Sequence, residues 1–157
     1  PELIAQGLVS YQASGMRQNI YEQDGYQIYA DCYNASPDAM EATLSVLGGM
    51  AGNGRRFAVL GSMLELGDYA EEGHRRAGRA AAQYADALYA YGPDAAAMVA
   101  GAREKGMEHA YAFDDQTALV AALREDAKKG DALLFKGSRG MRMERALAMF
   151  LGEEVEA

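Results

Sequence analysis

Apolar residues in this chain gather into short continuous runs separated by amphipathic stretches, and the two kinds of segment alternate from about residue 26 onward. The runs are "YQIYAD", "FAVLGSM", "DALYAYG", "EHAYAFDD" and "DALLFKGS". Runs of this length without polar alternation suit parallel strands covered on both faces. Between them, apolar positions recur at helical spacing. Met40, Leu44 and Leu47 define a helix with Ser36 as its N-cap, Pro37 at its first position and Gly48-Gly49 as its stop. Further helices are predicted over 68–84, 93–105, 117–128 and 140–151. Ahead of the first run, "RQNIYEQ" and "YQIYAD" flank Asp24-Gly25, a favoured two-residue hairpin turn, so "RQNIYEQ" is predicted as an antiparallel edge strand. Leu3, Ile4 and Leu8 read as the end of an earlier helix, which suggests a piece excised from a longer protein.

Strands alternating with helices need crossover connections, and right-handed crossovers wind a sheet with helices on both faces. The predicted fold is therefore α/β: a Rossmann-like, doubly wound sheet of about five parallel strands plus one antiparallel edge strand.

At 157 residues, half of them apolar, the chain is long enough for one domain with a real core. Its 15 basic and 23 acidic residues give a net charge of −8 without a basic stripe, which argues against nucleic acid or an anionic membrane as partner. No membrane span and no secretion signal are legible, so a cytoplasmic location is expected. Cys32, the sole cysteine, follows an apolar run and is expected to be a packing residue. One thiol with His74 and His109 makes no zinc set, and no metal site is assigned.

In a sheet of this kind, ligands gather at the loops that follow the strands. "DCYNASPD", where a strand-like run ends in polar residues, is a candidate site edge, and two further loops, "GSMLELGD" and "KGSRG", are richer than folding requires, the second most of all. In the second, Lys136, Ser138 and Arg139 stand between a buried strand and a predicted helix start, with glycines that let the backbone approach closely. This is a candidate pocket for a phosphate or carboxylate. The competing explanation is a solvated turn in which Ser138 caps the helix. Glu65 in "GSMLELGD" could orient a basic partner such as Arg139, meet a ligand, or lie exposed; His74, among charged residues, is expected to face solvent. The chain has no G-x-x-x-x-G-K-[ST] phosphate loop, no G-x-G-x-x-G fingerprint and no G-x-S-x-G elbow.

"DCYNASPDAM", "LGGM", "GRRFAVLGSMLELG", "HRRAG" and "LLFKGSRGMRMERAL" together resemble, in order and spacing, the C-terminal domain of the Mur ligases, in the branch that adds D-alanyl-D-alanine. The resemblance implies an ATP-dependent amide ligase of peptidoglycan precursor synthesis in bacteria. Such an enzyme activates the carboxylate of a UDP-N-acetylmuramoyl-tripeptide as an acyl phosphate, which D-Ala-D-Ala attacks. It further implies that residues 1–15 end a central ATPase domain and residues 16–157 form the C-terminal domain. Partner N-terminal and central domains would supply the UDP-sugar site, the phosphate loop and most of the hold on ATP and Mg2+. The isolated domain is accordingly expected to be inactive, and none of its residues is assigned the bond-making step.

By the same resemblance, Asp31 meets the ATP ribose, Tyr33 and Asn34 face the nucleotide, and Arg17 lies near the phosphates. Lys136, Ser138 and Arg139 would hold the dipeptide carboxylate or a phosphoryl oxygen. Ser36 and Ser62 stand where the family pattern has an asparagine and an aspartate, and with Glu65 and His74 they are possible supporting residues. Arg17 is displaced by one position from the family's arginine, and Ala30 stands where a second aspartate often precedes Asp31. The alternatives are a sister Mur ligase adding another amino acid, and a binding module for a nucleotide or peptide without chemistry.

Overall fold

The computed structural model describes residues 19–32, 35–50 and 52–153. Six strands, β1 Asn19–Gln23, β2 Tyr26–Asp31, β3 Arg56–Gly61, β4 Ala87–Tyr91, β5 Ala110–Phe113 and β6 Ala132–Lys136, form one sheet in the order β1-β2-β6-β3-β4-β5. β1 pairs antiparallel with β2, and every other pairing is parallel. The five parallel strands and the antiparallel edge strand agree with the prediction. The hairpin turn is also as expected: Asp24 and Gly25 have φ of 56° and 88°, the left-handed pair that matches strand twist.

The helices are α1 Pro37–Leu47, α2 Ala70–Tyr84, α3 Ala95–Glu104, α4 Gln116–Asp126 and α5 Met143–Phe150. α1, α2 and α3 pack on one face, where Met40, Leu44, Leu47, Ala77, Ala81 and Met98 meet Tyr29, Ala58, Leu60 and Leu134 of the sheet. α4 and α5 cover the other, where Leu119, Leu123, Ala146 and Phe150 meet Ile28, Phe57, Val59 and Phe135. Each fully buried Leu, Met or Phe contributes about 1.5–3 kcal/mol relative to exposure, so the two layers hold the sheet between them.

α2 and α3 cross so closely that a Cβ on Gly78 would lie 1.9 Å from the Met98 carbonyl oxygen and one on Gly101 2.1 Å from that of Arg75. The arginines of α2 lace this layer together from outside. Arg76 reaches Glu41 at 2.5 Å and Asp38 at 2.6 Å on α1, while Arg75 reaches Glu104 of α3 at 2.5 Å. Among the described residues, no helix is long and apolar enough to cross a membrane.

Two predicted helix starts are corrected. The segment 67–69 is a 3-10 turn before α2 begins at Ala70. The last helix starts at Met143, not Gly140, because 139–141 forms a 3-10 turn and Arg142 takes the left-handed conformation, φ 55° and ψ 49°. Gln116 braces this turn: its amide Nε2 donates to the carbonyls of Met141 at 3.0 Å and Arg142 at 3.1 Å, the second of which also accepts Arg145 N at 2.9 Å.

Candidate functional site

β2 leads into α1 and β3 into α2 on one face of the sheet, whereas β6, which lies between those strands, leads into α5 on the other. Neighbouring strands that exit to opposite faces open a crevice at their carboxyl ends, the usual ligand position in open α/β sheets. Three strand ends lie side by side there: Asp31 pairs in register with Lys136, which pairs in turn with Leu60 beside Gly61.

The two candidate ligand residues at this edge bind each other. Lys136 Nζ lies 2.5 Å from Asp31 Oδ2, with side chains only 2% and 8% exposed. Thr43 on α1 donates to the same oxygen over a longer 3.4 Å. Among the described residues the bonds to Asp31 converge on Oδ2, and its side chain keeps 8% exposure at the sheet edge. Tyr29, two residues earlier on the same face, has its phenol pushed above the usual range by burial and then by the Asp31 charge, partly offset by its hydrogen bond with Thr43.

The loops after β3 and β6 are joined to each other. Ser138 N donates to Ser62 O at 3.2 Å, and Leu64 N donates to Ser138 Oγ at 2.8 Å. Ser138 therefore makes no side-chain cap, because its hydroxyl ties the two loops across the crevice. The glycines permit this approach: a Cβ on Gly137 would sit 3.0 Å from Gly61 Cα and 2.8 Å from Met143 Cγ. Arg139 occupies the 3-10 turn beyond and is exposed.

Ser62 is buried, donates to Tyr91 O at 3.3 Å and accepts from Asp94 N at 3.1 Å, fastening the β3 loop to the β4 loop. His74 corrects its predicted exposure, being fully buried. Its Nε2 accepts the Met63 N–H at 2.8 Å and its Nδ1 lies 2.7 Å from Ala70 O, which fixes the neutral Nδ1–H tautomer. The reason lies on its helix face: His74 shares a buried stripe with Ala77 and Ala81. Ser36 caps α1 through Ala39 N at 3.2 Å, as its sequence position predicts. Glu65 is exposed with φ 69°, at the tip of the loop that His74 and Ser138 hold.

Cys32 is 3% exposed and donates to Phe135 O at 3.4 Å; burial, followed by the charges of Glu144 and Asp31, pushes its thiol up to about 12. It is a packing residue, as expected. Arg17, Tyr33 and Asn34 lie outside the described residues. Sequence reasoning missed Thr43 and Gln116, which reach the site only through contacts distant in the chain.

The sequence matches the family described as Mur ligase, glutamate ligase domain, over residues 16–139. It is 37% identical over 147 residues to the UDP-N-acetylmuramoyl-tripeptide–D-alanyl-D-alanine ligase of Bacillus subtilis, a match covering 92% of this chain and 32% of that protein. Among solved structures, the MurF ligase of Thermotoga maritima in complex with ADP superposes with a TM-score of 0.75 at 35% identity, over 88% of this chain and 31% of that one. MurF from Acinetobacter baumannii gives a TM-score of 0.82 at 30% identity, over 97% of this chain and 34% of that one. The chain thus spans about a third of the length of these relatives.

Proposed function

The chain belongs to the Mur ligase family, and from that premise we propose that it is the C-terminal domain of an ATP-dependent ligase joining D-Ala-D-Ala to UDP-N-acetylmuramoyl-tripeptide in cytoplasmic peptidoglycan precursor synthesis. The observation that carries the proposal is Asp31: a carboxylate at the crevice beside β6, held within the fold through Oδ2 and keeping a small exposure at the sheet edge. A carboxylate so held suits the hydroxyl pair of a ribose. The MurF relative solved in complex with ADP supports a nucleotide as ligand of the full ligase.

In this account the Ser138–Arg139 turn faces the dipeptide carboxylate or a phosphoryl oxygen, with Arg139 supplying a forked, permanently charged donor. Tyr33, Asn34 and Arg17 complete the nucleotide side. The central domain of the full ligase supplies the phosphate loop and holds most of the ATP and its magnesium, so this domain contributes closure and positioning rather than turnover by itself.

The test is Arg139→Ala in the full-length ligase against Lys128→Ala, an exposed lysine distant from the crevice. Loss of one hydrogen-bonded charge predicts a rise of about ten- to a hundredfold in the KM for D-Ala-D-Ala for Arg139→Ala. Equal kinetics in the two variants would remove Arg139 from the site.

A further inference from the structure

Lys136 was expected to hold an anionic ligand, yet its ammonium lies 2.5 Å from Asp31 Oδ2. We propose that Lys136 and Thr43 are positioning residues that fix the Asp31 carboxylate through Oδ2 and so present Oδ1 to a ligand with paired hydroxyl donors. The inference rests on the function above for the identity of that ligand, the ribose of the nucleotide.

Three features support it. First, the Lys136 side chain is 2% exposed, so a ligand lying over the carboxyl edge meets Asp31 before it meets the ammonium. Second, both bonds to Asp31 converge on one oxygen and come from different elements, β6 and α1, which confines a side chain that has only two torsions. Third, Asp31 and Lys136 are the last residues of adjacent strands in direct register, so the pair moves with the sheet edge and not with a loop. A site built on strand ends in this way holds its geometry more tightly than one carried by loops.

The experiment compares ATP with 2′-deoxy-ATP in the full-length ligase. Wild type should prefer ATP in kcat/KM by about tenfold, the worth of a charge-assisted hydrogen bond. Thr43→Val, which keeps the side-chain shape, should lower that preference at least about threefold and leave the KM for D-Ala-D-Ala within about twofold of wild type. Lys136→Met should bring the preference close to one, again without raising the dipeptide KM. Because Lys136→Met removes a buried charge and can fail to fold, Thr43→Val alone is sufficient to decide. If wild type prefers ATP and Thr43→Val keeps the full preference, the positioning role is overturned while the ribose assignment stands. A dipeptide KM raised tenfold by Lys136→Met, with nucleotide preference intact, overturns it as well by making Lys136 a ligand contact. No preference in wild type overturns the ribose assignment itself, and the positioning role with it.

Discussion

Replacing Lys136 by methionine should damage this fold far more than removing any of its surface ion pairs. The substitution keeps the unbranched stem but leaves the Asp31 carboxylate, 8% exposed, facing an apolar group. Breaking a buried pair in this way costs about 3–5 kcal/mol, because the remaining charge keeps its desolvation penalty without a partner. The slight exposure of the carboxylate recovers some hydration, which places the expected loss near the lower end, about 3 kcal/mol. For a chain of this size that corresponds to a fall in Tm of about 6–12 °C. Arg75→Ala provides the control. It removes two exposed pairs, to Glu71 and Glu104, which solvent screens, so its effect should be small beside that of Lys136→Met. The double variant Asp31→Leu with Lys136→Met should recover most of the loss, since apolar replacements of a buried pair are often neutral. Thermal and urea unfolding followed by circular dichroism read all four proteins. A Lys136→Met variant within about 1 kcal/mol of wild type, or a double variant worse than the single one, would refute the account of the pair as buried and mutually dependent.

Other consequences follow from the same coordinates. Cys32 should resist thiol reagents at pH 8 in the folded protein and label quickly in denaturant, given its 3% exposure and a thiol pushed up to about 12. Gly78→Ala should cost at least the roughly 1–3 kcal/mol of an overpacked core, measured by urea unfolding, because the backbone oxygen of Met98 lies 1.9 Å from the added Cβ and cannot swing away. Burial raises the Asp126 carboxyl, but hydrogen bonds from Arg55 and Tyr89 more than reverse this and leave it below its ordinary value. Its stabilising contribution is therefore full above the unfolded carboxyl's pKa and lost as pH falls through the lower, folded one. Asp126→Asn should flatten the acid side of a stability–pH profile and leave the slope above pH 6 unchanged.

Much of the architecture was legible because it depends on local pattern. Continuous apolar runs marked β3, β4 and β6, and Asp24-Gly25 marked the hairpin. Ser36-Pro37 marked the start of α1 through a cap that needs only neighbours in sequence. The start of α5 was hidden, since the 3-10 turn and left-handed Arg142 that delay it are braced by Gln116, more than twenty residues away. His74 was misjudged from its charged neighbours, although its spacing to Ala77 and Ala81 carried the signal of a buried stripe. The Asp31–Lys136 pair required the strand order: only once β6 is placed beside β2 do two residues separated by 105 positions face one another. Ser138 likewise resembled a helix cap until the β3 loop supplied Leu64 as its partner.

The most direct test of the central claim is phosphate release by the full-length ligase with ATP, magnesium and UDP-N-acetylmuramoyl-tripeptide, measured with and without D-Ala-D-Ala. The account predicts release that depends on the dipeptide and falls when Asp31 is changed to asparagine. Absence of dipeptide-dependent release from the folded protein, with any amine supplied, would contradict it and leave a domain that binds without taking part in ligation.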